Sequence, residues 1–136
     1  MLGFFPQMSA REANSISMLG LAHVGDAVYE LLIRSMLCQQ GHAAVGDLHR
    51  RTVKLVRAEA QAQAVAPLLA ILDEEELAVY KRGRNTRVNS VPKHAQLSQY
   101  HAATGLEALF GWLYLQGKLE RINQLFHMIM ENNNAT

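Results

Sequence analysis

Apolar residues recur at spacings of three and four along nearly the whole chain, and no segment alternates polar with apolar residues as a half-buried strand would. From Ile16 to Met36 the pattern runs through Leu21, Val24, Val28, Leu31, Leu32 and Met36, and Gly41 is a suitable terminator. Asp47 to Val65 repeats it with Leu48, Val53, Leu55 and Val56, then an alanine-rich stretch that ends near Pro67. Asp73 can cap a third helix. Glu74, Glu75 and Glu76 then fill its first turn, where the helix dipole favours acids. That helix is expected to stop between Arg82 and Asn85, and Thr86 to Pro92 reads as an irregular loop. Ala95 to Leu115, ended by Gly117, and Leu119 to Met130 complete the set. The expected fold is all-α, a single compact helical domain over residues 1–136, with 131–136 as a disordered tail.

A chain of 136 residues is long enough to bury a core, and 49% hydrophobic with 18% charged residues is ordinary globular composition. The single cysteine, Cys38, excludes an internal disulfide and is expected to be a small buried residue in a reducing compartment. The N-terminal stretch has no basic n-region, and Pro6, Gln7, Arg11 and Glu12 interrupt its apolar residues, so it does not read as a secretory signal. No apolar run reaches membrane-spanning length. The expectation is a soluble cytoplasmic protein.

Net charge is only +1, but the charges are segregated. HRRTVKLVR (49–57) holds Arg50, Arg51, Lys54 and Arg57 without an acid. Leu77 to Leu106 is also free of acids while Lys81, Arg82, Arg84, Arg87 and Lys93 accumulate. Local field rather than net charge decides polyanion binding, so both segments are candidate nucleic-acid contacts. The plain alternative is two solvated helix faces.

Phosphate-loop, dinucleotide, HExxH zinc and GxSxG motifs are absent, and the six histidines do not pair at ligand spacing. What remains is carboxylate chemistry. Asp26 interrupts the apolar run LAHVGDAVYE, with Glu30 one turn further on its face. Glu107 lies in the middle of ATGLEALFGWLYL, with Thr104 and Gly111 on its face. Small residues flank both acids, so two helices can approach there and bring the carboxylates together. Such a pair repels unless a cation lies between, and oxygen ligands with room for water suit Mg2+. The competing reading is ordinary: isolated surface acids, Glu30 paired with Arg34, and Thr104 bonded back to its own backbone.

Four segments stand in an order that resembles the ribonuclease III family, most closely its short Mini-ribonuclease III form, which consists of the catalytic domain alone. They are LAHVGDAVYE (21–30), LHRRTVKLVRAEAQA (48–62), YKRGRNTRVNSVPKHA (80–95) and YHAATGLEALFGWLYLQG (100–117). The resemblance implies a Mg2+-dependent endoribonuclease that cuts double-stranded RNA to 5′-phosphate and 3′-hydroxyl ends. It also implies a role in maturing the large-subunit (23S) ribosomal RNA precursor, and a homodimer with one site per subunit. On this basis Asp26 and Glu107 are the catalytic and metal-binding acids, with Glu30 and Thr104 as supporting candidates around them. Arg50, Arg51, Lys54, Arg57, Arg82, Arg84, Asn85, Arg87 and Lys93 are the candidate RNA contacts. Full-length members carry further glutamates four and seven residues before the aspartate, where this chain has Ala22 and Leu19, and an aspartate where it has Thr104. That thinned acid set motivates an alternative, a non-catalytic RNA- or ribosome-binding module of the same fold. A DNA-binding helical regulator is a third reading, unsupported by any helix-turn-helix signal.

Overall fold

Side chains that take up the free N–H groups of a first turn mark where several helices begin. The computed structural model describes residues 3–41, 44–87 and 96–134, and these form helices and connecting turns without a strand. Ser9 and Glu12 make a reciprocal capping box that opens α1 (Ala10–Asn14). The Ser17 hydroxyl caps α2 (Met18–Gln39), and Gly41, at φ 92°, turns the chain out of it. α3 (Val45–Val56) and α4 (Ala58–Val65) follow, then a 3-10 turn (Ala66–Leu68) with Pro67 in its first positions. Asp73 and Glu76 form a second capping box for α5 (Glu74–Arg84). α6 (Leu97–Leu115) and α7 (Leu119–Asn134) end the chain.

Three expectations need correction. The helix expected from Asp47 to Val65 is two helices, broken at Arg57, whose backbone is extended (φ −67°, ψ 157°). No glycine or proline marks the break. A side chain supports it instead: the Gln61 amide donates to the Val56 carbonyl at 2.8 Å, where α3 leaves an acceptor free. Residues 131–134 are not a tail but the last turn of α7, with Asn132 donating to the Met128 carbonyl at 2.9 Å. Cys38 is exposed, not buried.

α6 is the central element, with Leu106, Ala108, Leu109, Phe110, Trp112 and Leu113 buried, and α2, α4 and α5 pack around it. The Trp112 indole donates to Asn14 at 2.8 Å, which fixes α1 to this core. Arg121 of α7 grips the buried Glu76 with two contacts of 2.8 Å and donates to the Ile71 carbonyl at 2.9 Å. Tyr29 meets Phe110 and Phe126 edge to face, at ring separations of 5.4 and 6.1 Å.

Helix α2 carries two apolar faces. Leu21, Ala22, Gly25, Tyr29, Ile33 and Leu37 are buried against the core. Val24, Val28, Leu31 and Leu32, from the same periodic run, line an open groove of about 580 Å³ together with Phe4, Phe5 and Ile122, and Val28 and Leu32 also pack against the edge of the core. Leu31 is 50% exposed, and Phe4 and Phe5 are 68% and 73% exposed, so this chain leaves much of that apolar surface uncovered. No helix among the described residues is long and apolar enough to cross a membrane.

Candidate active site

Two glycines let α2 and α6 cross at backbone contact. A methyl group on Gly25 would overlap the Glu107 carbonyl oxygen and sit 2.8 Å from the Gly111 nitrogen. One on Gly111 would overlap the Leu21 carbonyl oxygen. Each position therefore requires the absence of a Cβ. Of the small residues flanking the two acids Gly25 serves this crossing, whereas Gly105 and Ala108 pack against Tyr80 and Gly83 of α5.

Asp26 follows Gly25, and Glu107 stands one turn before Gly111, so the crossing brings their side chains together. The Asp26 carboxyl lies close enough to Glu107 to oppose its ionisation. Asp26 is exposed and Glu107 half-buried, so the pair opens to solvent on one side. Burial pushes the Glu107 carboxyl up to about 8. Asp26 pushes the same way, while the Gln61 amide opposes both. The same neighbourhood raises the Tyr29 phenol, through burial first and then the Glu107 charge.

Gln61 is the residue of this site that sequence reasoning passed over. Its side chain is buried, with Nε2 donating to the Val56 carbonyl at 2.8 Å and making a longer contact, 3.5 Å, with Glu107 Oε2. Its Oε1 is buried without a hydrogen-bond partner. A signal was present: Gln61, Ala64, Val65 and Leu68 occupy the buried three-and-four stripe of α4 and its following turn. A glutamine at a core position of such a stripe requires polar partners.

Neither supporting candidate joins the pair. Glu30 forms the ordinary ion pair with Arg34, at 2.8 Å and one turn apart. The Thr104 hydroxyl donates to the Tyr100 carbonyl at 3.0 Å. Among the described residues no group of three or more histidines, cysteines and acids could enclose a metal. Two carboxylates open to solvent nevertheless fit a hard divalent ion that keeps several waters, as Mg2+ does. Asp26 and Glu107 would hold it.

The basic residues fall into two groups, exposed except for the half-buried Arg84. Arg50 and Arg51 both reach back to Asp47, at 3.5 and 2.9 Å, and Lys54 lies on the same helix. Arg57, at the break after α3, sits 3.9 Å from Glu59. Arg82, Arg84 and Asn85 end α5, where Arg84 packs over the Tyr80 ring at 5.7 Å and contacts Asn85 at 3.3 Å. Gly83, between the two arginines, is buried against Thr104, Gly105 and Ala108, so this group stands beside the α6 turn that carries Glu107. Arg87 is exposed just beyond it. Lys93 lies outside the described residues.

A ribonuclease III domain model matches residues 19–118, a span that includes both acids, Gln61 and both basic groups. The chain belongs to the ribonuclease III family of endoribonucleases. It is 44% identical over 117 residues to Mini-ribonuclease 3 from a Thermoanaerobacter species, covering 86% of this chain and 82% of that one. The Mini-ribonuclease 3 of Enterococcus faecalis is 38% identical over 128 residues, with 93% and 97% covered. The fold is similar to a crystal structure of a Fusobacterium nucleatum protein, at a TM-score of 0.81 and 30% identity, covering 90% of this chain and 98% of that one. The all-α ribonuclease III architecture read from the sequence is the one observed.

Proposed function

We propose that the protein is a Mg2+-dependent endoribonuclease that cuts double-stranded RNA at a site built from Asp26 and Glu107. The observation that carries this reading is the meeting of those two carboxyl groups, one from α2 and one from α6, at a crossing that only glycine permits. A divalent cation bound between them would polarise a water and offset the negative charge of the phosphodiester. Asp26, exposed, presents its oxygens to the approaching backbone, and Glu107, half-buried, is held in one place by the core behind it. Hydrolysis breaks the bond from phosphorus to the 3′ oxygen and leaves a 5′-phosphate. Protein side chains contribute charge placement rather than a covalent step.

Duplex RNA offers phosphates, 2′-hydroxyls and shape rather than base edges. Arg50, Arg51, Lys54 and Arg57 on and after α3, with Arg82, Arg84, Asn85 and Arg87 around the end of α5, supply donors for them. Lys93 belongs to the same proposal on sequence grounds. The large-subunit ribosomal RNA precursor is the proposed substrate, in the cytoplasm. The proposed active form is a homodimer in which the apolar groove of α2, with Phe4 and Phe5, meets a second copy.

The absence of a three-acid cluster among the described residues favours one competing reading, an RNA-binding module without cleavage. Labelled duplex RNA incubated with Mg2+ and the parent, Asp26→Asn or Glu107→Gln separates the two. Cleavage by the parent, its loss in both variants and retained binding support the nuclease. Intact RNA with normal binding would support the module.

A further inference from the structure

Gln61 does two things at once. Its amide nitrogen takes up the last free carbonyl of α3, at Val56, and faces the carboxylate of Glu107 on α6. The amide orientation is set by these partners. Turned over, Oε1 would oppose both the Val56 carbonyl and the Glu107 carboxylate, leaving acceptors against acceptors. In the orientation observed, Oε1 is a buried acceptor with no donor, on a side chain only 1% exposed. A glutamine so buried, half of it bonded and half open, is costly in a helical core unless the open half has a use.

We infer that Gln61 is a positioning residue of the metal site: its N–H orients Glu107 toward Asp26, and its carbonyl is the acceptor for a water held on the ion. The inference rests on the reading of Asp26 and Glu107 as the metal-holding pair. Hydrogen-bond partners behind a ligating carboxylate fix its direction and raise its affinity for the ion, and removing one typically costs about 10- to 100-fold in metal affinity or activity. The same amide bonds the C-terminal end of α3, the helix bearing Arg50, Arg51 and Lys54, so one side chain sets the end of that basic helix against the acid.

The test uses the full chain labelled with 15N and titrated with Mg2+, following side-chain amide signals, for the parent, Asp26→Asn and Gln61→Met. Methionine keeps the volume and flexibility of glutamine without its hydrogen bonds. In the parent, the Gln61 side-chain amide signals move with Mg2+ and share one midpoint with the backbone signals around Asp26 and Glu107. In Gln61→Met the midpoint for the backbone signals rises about tenfold. The Mg2+ concentration giving half-maximal cleavage of duplex RNA rises by a similar factor, and activity lost at low Mg2+ returns at saturating Mg2+. A general loosening of the fold would not separate metal requirement from maximal rate in this way. A Gln61 amide that stays still while its neighbours shift overturns the inference, and so does a Gln61→Met midpoint equal to the parent's. Should Gln61→Met fail to fold, the parent's Gln61 signals decide alone. A parent without a saturable Mg2+ response, or an Asp26→Asn protein responding as the parent does, removes the two-carboxylate site itself and this inference with it.

Discussion

Raising the pH without divalent metal should destabilise the protein through Glu107, and Glu107→Gln should remove that part of the loss. The ordinary glutamate value is 4.5, and burial with Asp26 alongside lifts the folded-state value to about 8. Between those values the folded chain holds a proton that the unfolded chain has released. Stability therefore falls as pH rises through the window and levels off above the folded-state value. At 1.36 kcal/mol per pH unit the full window is worth about 5 kcal/mol as an upper bound, and the part between pH 6 and pH 9 about 2–3 kcal/mol. For a domain of this size that corresponds to roughly 5–10 °C in Tm. The assay is thermal unfolding in EDTA across that range, for parent and variant side by side. Every other group is common to both proteins, so the difference between the two curves isolates Glu107. The parent should lose several degrees relative to Glu107→Gln. Parallel curves would refute the argument that burial and Asp26 together hold this carboxyl protonated. Because ion binding requires the carboxylate, Mg2+ should also displace close to one proton at pH 7, measurable by calorimetry in buffers of different ionisation enthalpy.

Gly25→Ala should cost at least about 3 kcal/mol, since its methyl group overlaps the Glu107 carbonyl and neither helix backbone can yield cheaply. A urea midpoint unchanged from the parent's would show that α2 and α6 part freely. Arg121→Met should cost about 3–5 kcal/mol by stranding the buried Glu76 carboxylate, and adding Glu76→Gln should recover much of it in denaturant titrations. RNA affinity measured in EDTA should weaken at least about tenfold between 50 and 200 mM salt, and Arg82→Ala should flatten that slope. Little change with salt would count against phosphate contacts. Leu31→Glu should turn a dimer into a monomer in sedimentation velocity, and a variant sedimenting as the parent does would remove the groove as the dimer surface.

Much of this was legible because local rules and tertiary needs agreed. Asp73 followed by three glutamates predicts a cap and a dipole-matched first turn, and the structure has both. The two acids could be singled out because each breaks an apolar helix among small residues, a local inconsistency that packing alone does not require. The break at Arg57 was illegible for the opposite reason. Its support comes from a side chain four residues further on, and no turn residue announces it. Periodicity also left open which apolar residues of α2 meet the core, because a helix with two apolar faces presents two stripes: Leu21 is fully buried while Leu31 is half exposed.

The two faces of α2 bear directly on how the proposed site could work. Successive residues are rotated by about 100°, which puts Asp26 on one flank of the buried stripe through Ala22, Gly25 and Tyr29. Val24, Val28 and Leu31 lie on the opposite flank and line the groove. A second copy seated on the groove would therefore cover apolar surface without covering the carboxylate. The interrupted run with which α2 announces itself is one helix serving three surfaces: a glycine-bearing seam against α6, an acid at one margin of that seam, and an apolar margin on the other side. Moving Asp26 by a single position would bury it against α6 or turn it away from Glu107. Its place immediately after Gly25 follows from that geometry.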